Sequence, residues 1–237
     1  MEITRERLTA LWAEVKKAKR KVLYPREAET LLAAYGIAMV KGAFAENDLE
    51  EVIRRSEEIG LPVALKLVSR DILHKSDEGY VALNLADREE VARAYSEILE
   101  NVGKRRPGVI IEGFLIQQML KNGHEVIVGL ANDPTFGKII LFGLGGIFVE
   151  ILKDVAIRKI PITIADAQDM IEEIKGYKIL LGARGREPAN LHVLKEFLLG
   201  ASRLGSEIEE VAEMDLNPVF VNSRNALVVD SRVLIHS

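Results

Sequence analysis

The alternation of apolar runs with polar, glycine- and proline-bearing breaks divides the chain into short helices and strands. Arg5 to Lys19, preceded by Thr4, reads as a helix, and Tyr24-Pro25 breaks its pattern. Pro25 suits the first turn of a second helix, Arg26 to Tyr35, and Gly36 suits its C-terminal cap. Ile37 to Val40 predicts a short strand. Asn47 or Asp48 can cap a helix running to Ile59 and stopped by Gly60 and Pro62. Val63 to Val68 predicts a strand, followed by a polar stretch from Ser69 to Gly79. Tyr80 to Leu85 is a further strand, and Asp87 opens a helix to about Val102.

A second section begins near Pro107. Val109 to Met119 looks largely extended, and His124 to Ala131 is a strand after the turn Lys121-Asn122-Gly123. Lys138 to Phe142 is a strand leading into Gly143-Leu144-Gly145-Gly146, and Ile151 to Ile164 mixes charged with apolar residues. Helices are expected over Ile164 to Lys175 and Leu191 to Leu204. The end reads as a hairpin, Val211 to Val221 and Ala226 to Leu234, around Asn222-Ser223-Arg224-Asn225. Antiparallel hairpins in both halves fit an α+β class with two lobes better than a doubly wound parallel sheet. The join falls near Gln117 to Leu120, which predicts lobes over 1–116 and 117–237. A cleft between lobes is a common place for a ligand.

Composition narrows the chemistry. The 237 residues include no cysteine, so disulfides, thiolate metal sites and cysteine nucleophiles are excluded. A net charge of -4 gives no general reason to expect nucleic-acid binding. The basic run at Lys16, Lys17, Lys19, Arg20 and Lys21 fits the solvated end of a helix. No stretch approaches the ~20 apolar residues of a membrane span, and the charged N-terminus has no apolar signal core. A cytoplasmic protein is therefore the expectation.

Four features can carry chemistry. Lys66 sits inside an apolar strand and shares a face with Ala64 and Val68. It is either a cation directed at phosphate or an edge lysine reaching solvent. The loop that follows contains His74, and an imidazole can accept and return a phosphoryl group. Four scattered histidines without clustered spacing argue against a zinc site. The glycines at 143, 145 and 146 either admit phosphate to backbone amides or form a tight turn. In the terminal hairpin, Asp215 and Asn217 share a face, and folding about Arg224 places Asn217 almost opposite Asp230 or Ser231. These residues either offer hard oxygen atoms to Mg²⁺ or decorate a solvated sheet face.

The order and spacing of several segments resemble the β subunit of archaeal-type ADP-forming acetyl-CoA synthetase. They are Ala64-Leu65-Lys66, His74-Lys75-Ser76-Asp77-Glu78-Gly79, Glu125 to Gly129, Asp133-Pro134-Thr135-Phe136-Gly137 and Phe142 to Glu150. Lys153-Asp154-Val155, Arg158, Pro161, Arg184-Gly185 and Asp215-Leu216-Asn217-Pro218 complete them. Glu78 and Tyr80, on either side of Gly79, depart from the smaller or more apolar neighbours expected there. The resemblance implies an ATP-grasp fold, with ATP or ADP held between two lobes. It implies that Lys66 contacts the phosphates, that Gln118, Met119 and Leu120 form the adenine hinge, and that Glu125 lies beside the nucleotide near its ribose. By the same resemblance, Asn217 and Asp230 hold Mg²⁺, His74 relays phosphate, and Arg158 helps Lys66 offset charge on the moving phosphoryl group. The implied partner is a CoA-binding α subunit in an α2β2 heterotetramer. Rival readings are another ATP-grasp ligase, such as a succinyl-CoA synthetase β chain, or a non-catalytic nucleotide-binding regulatory module.

Overall fold

A computed structural model describes residues 5–69, 72, 79–146 and 153–236, without the side chains of 5, 6 and 184. Within it the chain forms two compact units. One comprises residues 1–39 and 122–237, and the other residues 40–121. This differs from the linear division into 1–116 and 117–237, because the N-terminal segment packs with the C-terminal half.

The reason lies in helix α1 (Arg5–Lys17). Leu8, Leu11, Trp12 and Val15 recur at helical spacing and pack into the larger unit's core. The chain then joins the last strand: Leu23 N–H donates to Val233 O at 3.0 Å, and Ile235 N–H donates to Lys21 O at 2.9 Å. Helix α2 (Pro25–Ala34) follows, with proline in its first turn. The basic run before it is not simply solvated. The Arg20 guanidinium donates twice to Glu27, at 2.6 and 2.7 Å, and stacks 3.9 Å from the Tyr24 ring centroid.

The larger unit holds a seven-stranded sheet. Its strands are β1 (Ala38–Met39), β6 (His124–Asp133), β7 (Gly137–Leu144), β8 (Val155–Lys159), β9 (Val211–Val221), β10 (Ala226–Val228) and β11 (Ser231–Ile235). The order is β1-β10-β9-β6-β7-β8, with β11 also pairing β9. Only β1 with β10 is parallel among these described pairs. Helices α5 (Ile164–Glu173), α6 (Tyr177–Leu180) and α7 (Leu191–Glu207) complete the unit. The sheet contributes Val126, Val128, Leu130, Ile140, Phe142 and Leu144 to one core with Met170, Leu194, Leu198 and Leu204 of the helices. Burying each such side chain fully is worth about 1.5–3 kcal/mol.

The smaller unit is a four-stranded antiparallel sheet in the order β2-β5-β3-β4. Its strands are β2 (Gly42–Ala45), β3 (Val63–Val68), β4 (Val81–Leu85) and β5 (Gly113–Gln118). Helices α3 (Leu49–Ile59) and α4 (Arg88–Arg105) cover one face. Asp48 and Asp87 cap them, each accepting a backbone N–H at 2.8 Å. Phe114 is fully buried against Tyr95, with ring centroids 4.9 Å apart. Strands β2 and β8 and the short helix α6 lay outside the sequence expectations. β2 and α6 are only four residues long, and β8 is an edge strand carrying Arg158 and Lys159. No helix among the described residues is long and apolar enough to cross a membrane.

Candidate functional site

Strand β3 explains why Lys66 stands out. Val63, Leu65 and Leu67 belong to the smaller unit's core, so Ala64, Lys66 and Val68 take the opposite face. Lys66 sits in the middle of the sheet, paired with Val81 on one side and Leu115 on the other. It is only 8% exposed and is not left without a partner. The edge-lysine alternative is therefore excluded by the topology. His74 lies outside the described residues.

Gln118, Met119 and Leu120 close β5 and begin the exit from the smaller unit. Gln118 is exposed, and the two after it are half-buried. The Gln118 N–H donates to Lys41 O at 2.9 Å and the Met119 N–H to Pro62 O at 3.2 Å. Those two donors are thus committed inside the protein.

In the larger unit, the terminal hairpin settles in one of the two registers expected. The Asn217 N–H donates to Asp230 O at 3.1 Å, while Ser231 lies opposite Leu216. Asp230 is therefore the residue facing Asn217, and Arg232 faces Asp215. Asp215, Asn217 and Asp230 are all exposed, whereas Met214, Leu216 and Val219 turn into the core. On its other side β9 is irregular. Val126 pairs with Val219 but Val128 with Leu216, so Asn217 and Pro218 together oppose Ile127. A bulge of this kind re-aims a side chain, and here it takes up a proline that has no ladder N–H to give.

The electrostatics agree with a shared face. Partial burial pushes the Asp215 carboxyl up, the Asp230 charge pushes it further, and Arg232 opposes both. Two carboxylates that repel and one amide oxygen form a hard, electron-rich donor set. It fits Mg²⁺ when phosphate oxygens and water fill the remaining positions. It does not fit a cation that needs three or more acidic or imidazole ligands, because no such group exists among the described residues. One Asp230 oxygen also accepts from Ser231 N–H at 2.9 Å, which fixes its orientation.

Glu125, on β6, is exposed opposite Phe220. Its carbonyl accepts the Gly145 N–H at 2.8 Å. A Cβ at Gly145 would lie 3.2 Å from that carbonyl, and one at Gly143 only 2.7 Å from Asp154 O. Both glycines serve close backbone packing, but Gly143 does so inside β7, paired with Ile127 and Val155, rather than in the tight turn expected after the strand. Arg158, on β8, is bound through two nitrogens to Glu173 of α5, at 2.6 and 2.9 Å. Hydrogen bonding to Glu173 raises the Arg158 pKa, and the same contact lowers that of Glu173.

Sequence reasoning passed over two residues. His124 is 2% exposed and bonded through Nε2 to Glu187 O at 2.8 Å. Arg186 lies beside it, on the connection between α6 and α7. A histidine at the start of a strand and an arginine in a polar connection carry no periodic signal that would have singled them out.

Lys66 thus stands on the sheet face away from the smaller unit's core, and Asp215, Asn217 and Asp230 stand exposed on the larger unit's sheet. The ATP-grasp domain profile matches residues 14–235. The chain is 49% identical over 225 residues to the β subunit of the ADP-forming acetate–CoA ligase II of Pyrococcus furiosus, covering 94% of this chain and 95% of that one. It also matches the dinucleotide-forming acetyl-coenzyme A synthetase 1 of Ca. Korarchaeum cryptofilum, solved with coenzyme A and Ca-AMPCP. The TM-score is 0.91 at 45% identity, over 96% of this chain and 99% of that chain. A further structure of that enzyme holds coenzyme A and Mg-AMPPCP, with its phosphohistidine segment pointing towards the nucleotide-binding site. Its TM-score is 0.82 at 42% identity, over 97% of this chain and 100% of that chain. The chain belongs to the ATP-grasp family of ADP-forming acetate–CoA ligase β subunits.

Proposed function

We propose that the chain is the nucleotide-binding β subunit of an ADP-forming acyl-CoA ligase. With a partner subunit it catalyses acyl-CoA + ADP + phosphate ⇌ acid + CoA + ATP. The observation that carries this reading is the end-to-end correspondence, at 49% identity, with an acetate–CoA ligase β subunit. The partner supplies the CoA-binding half, and the assembly is an α2β2 heterotetramer.

The residues take the following roles. Lys66 offsets phosphate charge from a fixed position in mid-sheet. Gln118, Met119 and Leu120 read the adenine. Because the Gln118 and Met119 N–H groups are committed to Lys41 and Pro62, base recognition there falls to the carbonyls and the Leu120 N–H. Glu125 accepts ribose hydroxyls. Asp215, Asn217 and Asp230 hold Mg²⁺, which when bound neutralises phosphate charge and fixes the oxygens of the nucleotide. His74 is the covalent carrier: its N–P bond breaks as a terminal oxygen of ADP forms the new O–P bond. Arg158 joins Lys66 only by exchanging its Glu173 partner for phosphate. The two lobes of the reading correspond to an N-terminal part carrying Lys66 and His74 and a C-terminal part carrying the hairpin.

The test is His74→Ala, assayed with the CoA-binding partner. Acyl-CoA-dependent ATP formation should fall by at least about a thousandfold, the scale of losing a covalent nucleophile. Mg·ADP binding by calorimetry should remain within about threefold. Retained turnover would remove the relay from the mechanism.

A further inference from the structure

An open depression of about 230 Å³ lies at the ends of β6 and β7 in the larger unit. Its walls bring together His124, Glu125, Leu144, Ile179, Arg186 and Phe220. Gly123 lets the Phe220 ring, one of its walls, lie directly over the backbone. A Cβ at Gly123 would come within 2.7 Å of Val221 O and closer still to the Phe220 ring.

The polar groups here are of two kinds. Glu125 and Arg186 are exposed, and among the described residues neither side chain makes a hydrogen bond or ion pair. His124 is buried. Its Nε2 faces the Glu187 carbonyl, which can only accept, so Nε2 donates, and Nδ1 has no hydrogen-bond partner among the described residues. An apolar side chain would occupy the same space without stranding Nδ1. What the imidazole adds is a bond from the first residue of β6 to the residue beside Arg186. The same segment is tied three more times. The Ser223 hydroxyl donates to the Glu187 carboxylate. The Ala189 N–H donates to Leu180 O at 2.8 Å, and the Asn190 N–H to Asn222 O at 2.9 Å. Arg186 therefore projects from a fixed backbone.

The charges of Glu125 and Arg186 offset each other, so the depression is not an anion trap. A phosphate placed there would meet a carboxylate as well as a guanidinium. Phe220, Leu144 and Ile179 favour a flat, uncharged group. A carboxylate accepts from sugar hydroxyls, and a planar guanidinium stacks on aromatic faces. The sugar and base of a nucleoside combine these properties. We infer that Arg186 is a specificity-determining residue that packs on the nucleoside end of the bound nucleotide, and that His124 is the positioning residue that holds it there. This rests on the nucleotide reading above.

The experiment titrates the full chain with Mg·ADP and with adenosine by calorimetry. Arg186→Ala should weaken both by the same factor, about tenfold, the scale of a desolvated cation–π contact. His124→Phe should reproduce that loss, and His124→Gln, which keeps a side-chain N–H for Glu187 O, should restore affinity to within about threefold. Arg186 is exposed, so its variant tests the inference even if His124→Phe does not fold. A loss for Mg·ADP without a matching loss for adenosine would move the guanidinium to the phosphates and overturn the inference, as would unchanged affinity for both. If the unaltered chain binds neither ligand, the nucleotide reading itself fails. If it binds both and Arg186→Ala binds them equally well, only the present inference fails.

Discussion

The two units present opposite charges by opposite means. The smaller one offers a cation from the middle of a covered strand: Lys66 is 8% exposed and flanked by Val81 and Leu115. The larger one offers Asp215, Asn217 and Asp230 from an exposed sheet face. A buried ammonium is costly without compensation, so its position is fixed by the whole sheet. Exposed carboxylates cost little to keep in water, and the Asp215 carboxyl is pushed up first by partial burial and then by the nearby Asp230 charge, with Arg232 opposing.

The contrast can be broken from its costly side first. Lys66→Met keeps the strand's apolar volume and removes only the charge. It should lower acyl-CoA-dependent ATP formation, measured with the partner subunit, by about a hundredfold or more. Activity within about threefold would mean that the buried ammonium serves the fold alone.

On the exposed side, Asp230→Ala should weaken Mg²⁺-dependent ADP binding about ten- to a hundredfold in calorimetry. An unchanged Mg²⁺ dependence would return the hairpin to a merely solvated face. The remaining carboxylate makes a subtler test. Burial, then Asp230, hold the Asp215 pKa above its unfolded value, with Arg232 opposing. Its contribution to stability is therefore fully present below the unfolded pKa and is lost as pH rises through the folded one. Without Mg²⁺, Asp215→Asn should raise the thermal midpoint at neutral pH by no more than about 2–4 °C, and the gain should vanish in acid. A gain that persists at low pH would mean charge is not the cause.

The smallest effect belongs to Arg158. Its pair with Glu173 is partly solvated, so Glu173→Gln should cost at most about 1 kcal/mol in denaturant unfolding. The Glu173 pKa is lowered, chiefly by its hydrogen bond to Arg158. The pair's contribution should accordingly be present above the unfolded carboxylate pKa and disappear as pH falls through the folded one. If the variant instead raises turnover, Arg158 is held back by Glu173 and joins the phosphate-binding set.

Local elements were legible where a single residue type marks a boundary. Asp48 and Asp87 cap α3 and α4 as read, and Pro25 and Gly36 bracket α2. Counting from the turn reached Asp230 or Ser231 as the partner of Asn217, because a short turn sets register from one end to within a residue. The bulge opposite Ile127 was not, since it belongs to the pairing of β9 with β6, which are about ninety residues apart. Strand β8 stayed hidden because an edge strand carries charges that blur its alternation.

By itself, the sequence determined the α+β class, most element positions, and the family through the order of its motifs. Its short-range pairing also narrowed the hairpin partner of Asn217 to Asp230 or Ser231, and the folded register chose Asp230. The tertiary structure alone decided that residues 1–39 fold with the C-terminal half, because α1 has an apolar stripe but nothing local to say which core receives it. It also decided that Lys66 is central rather than marginal, which depends on strands β4 and β5 arriving on both sides. And it brought His124 beside Glu187 across 63 residues, a contact that no local pattern encodes because hydrogen-bond partners are chosen by the folded backbone.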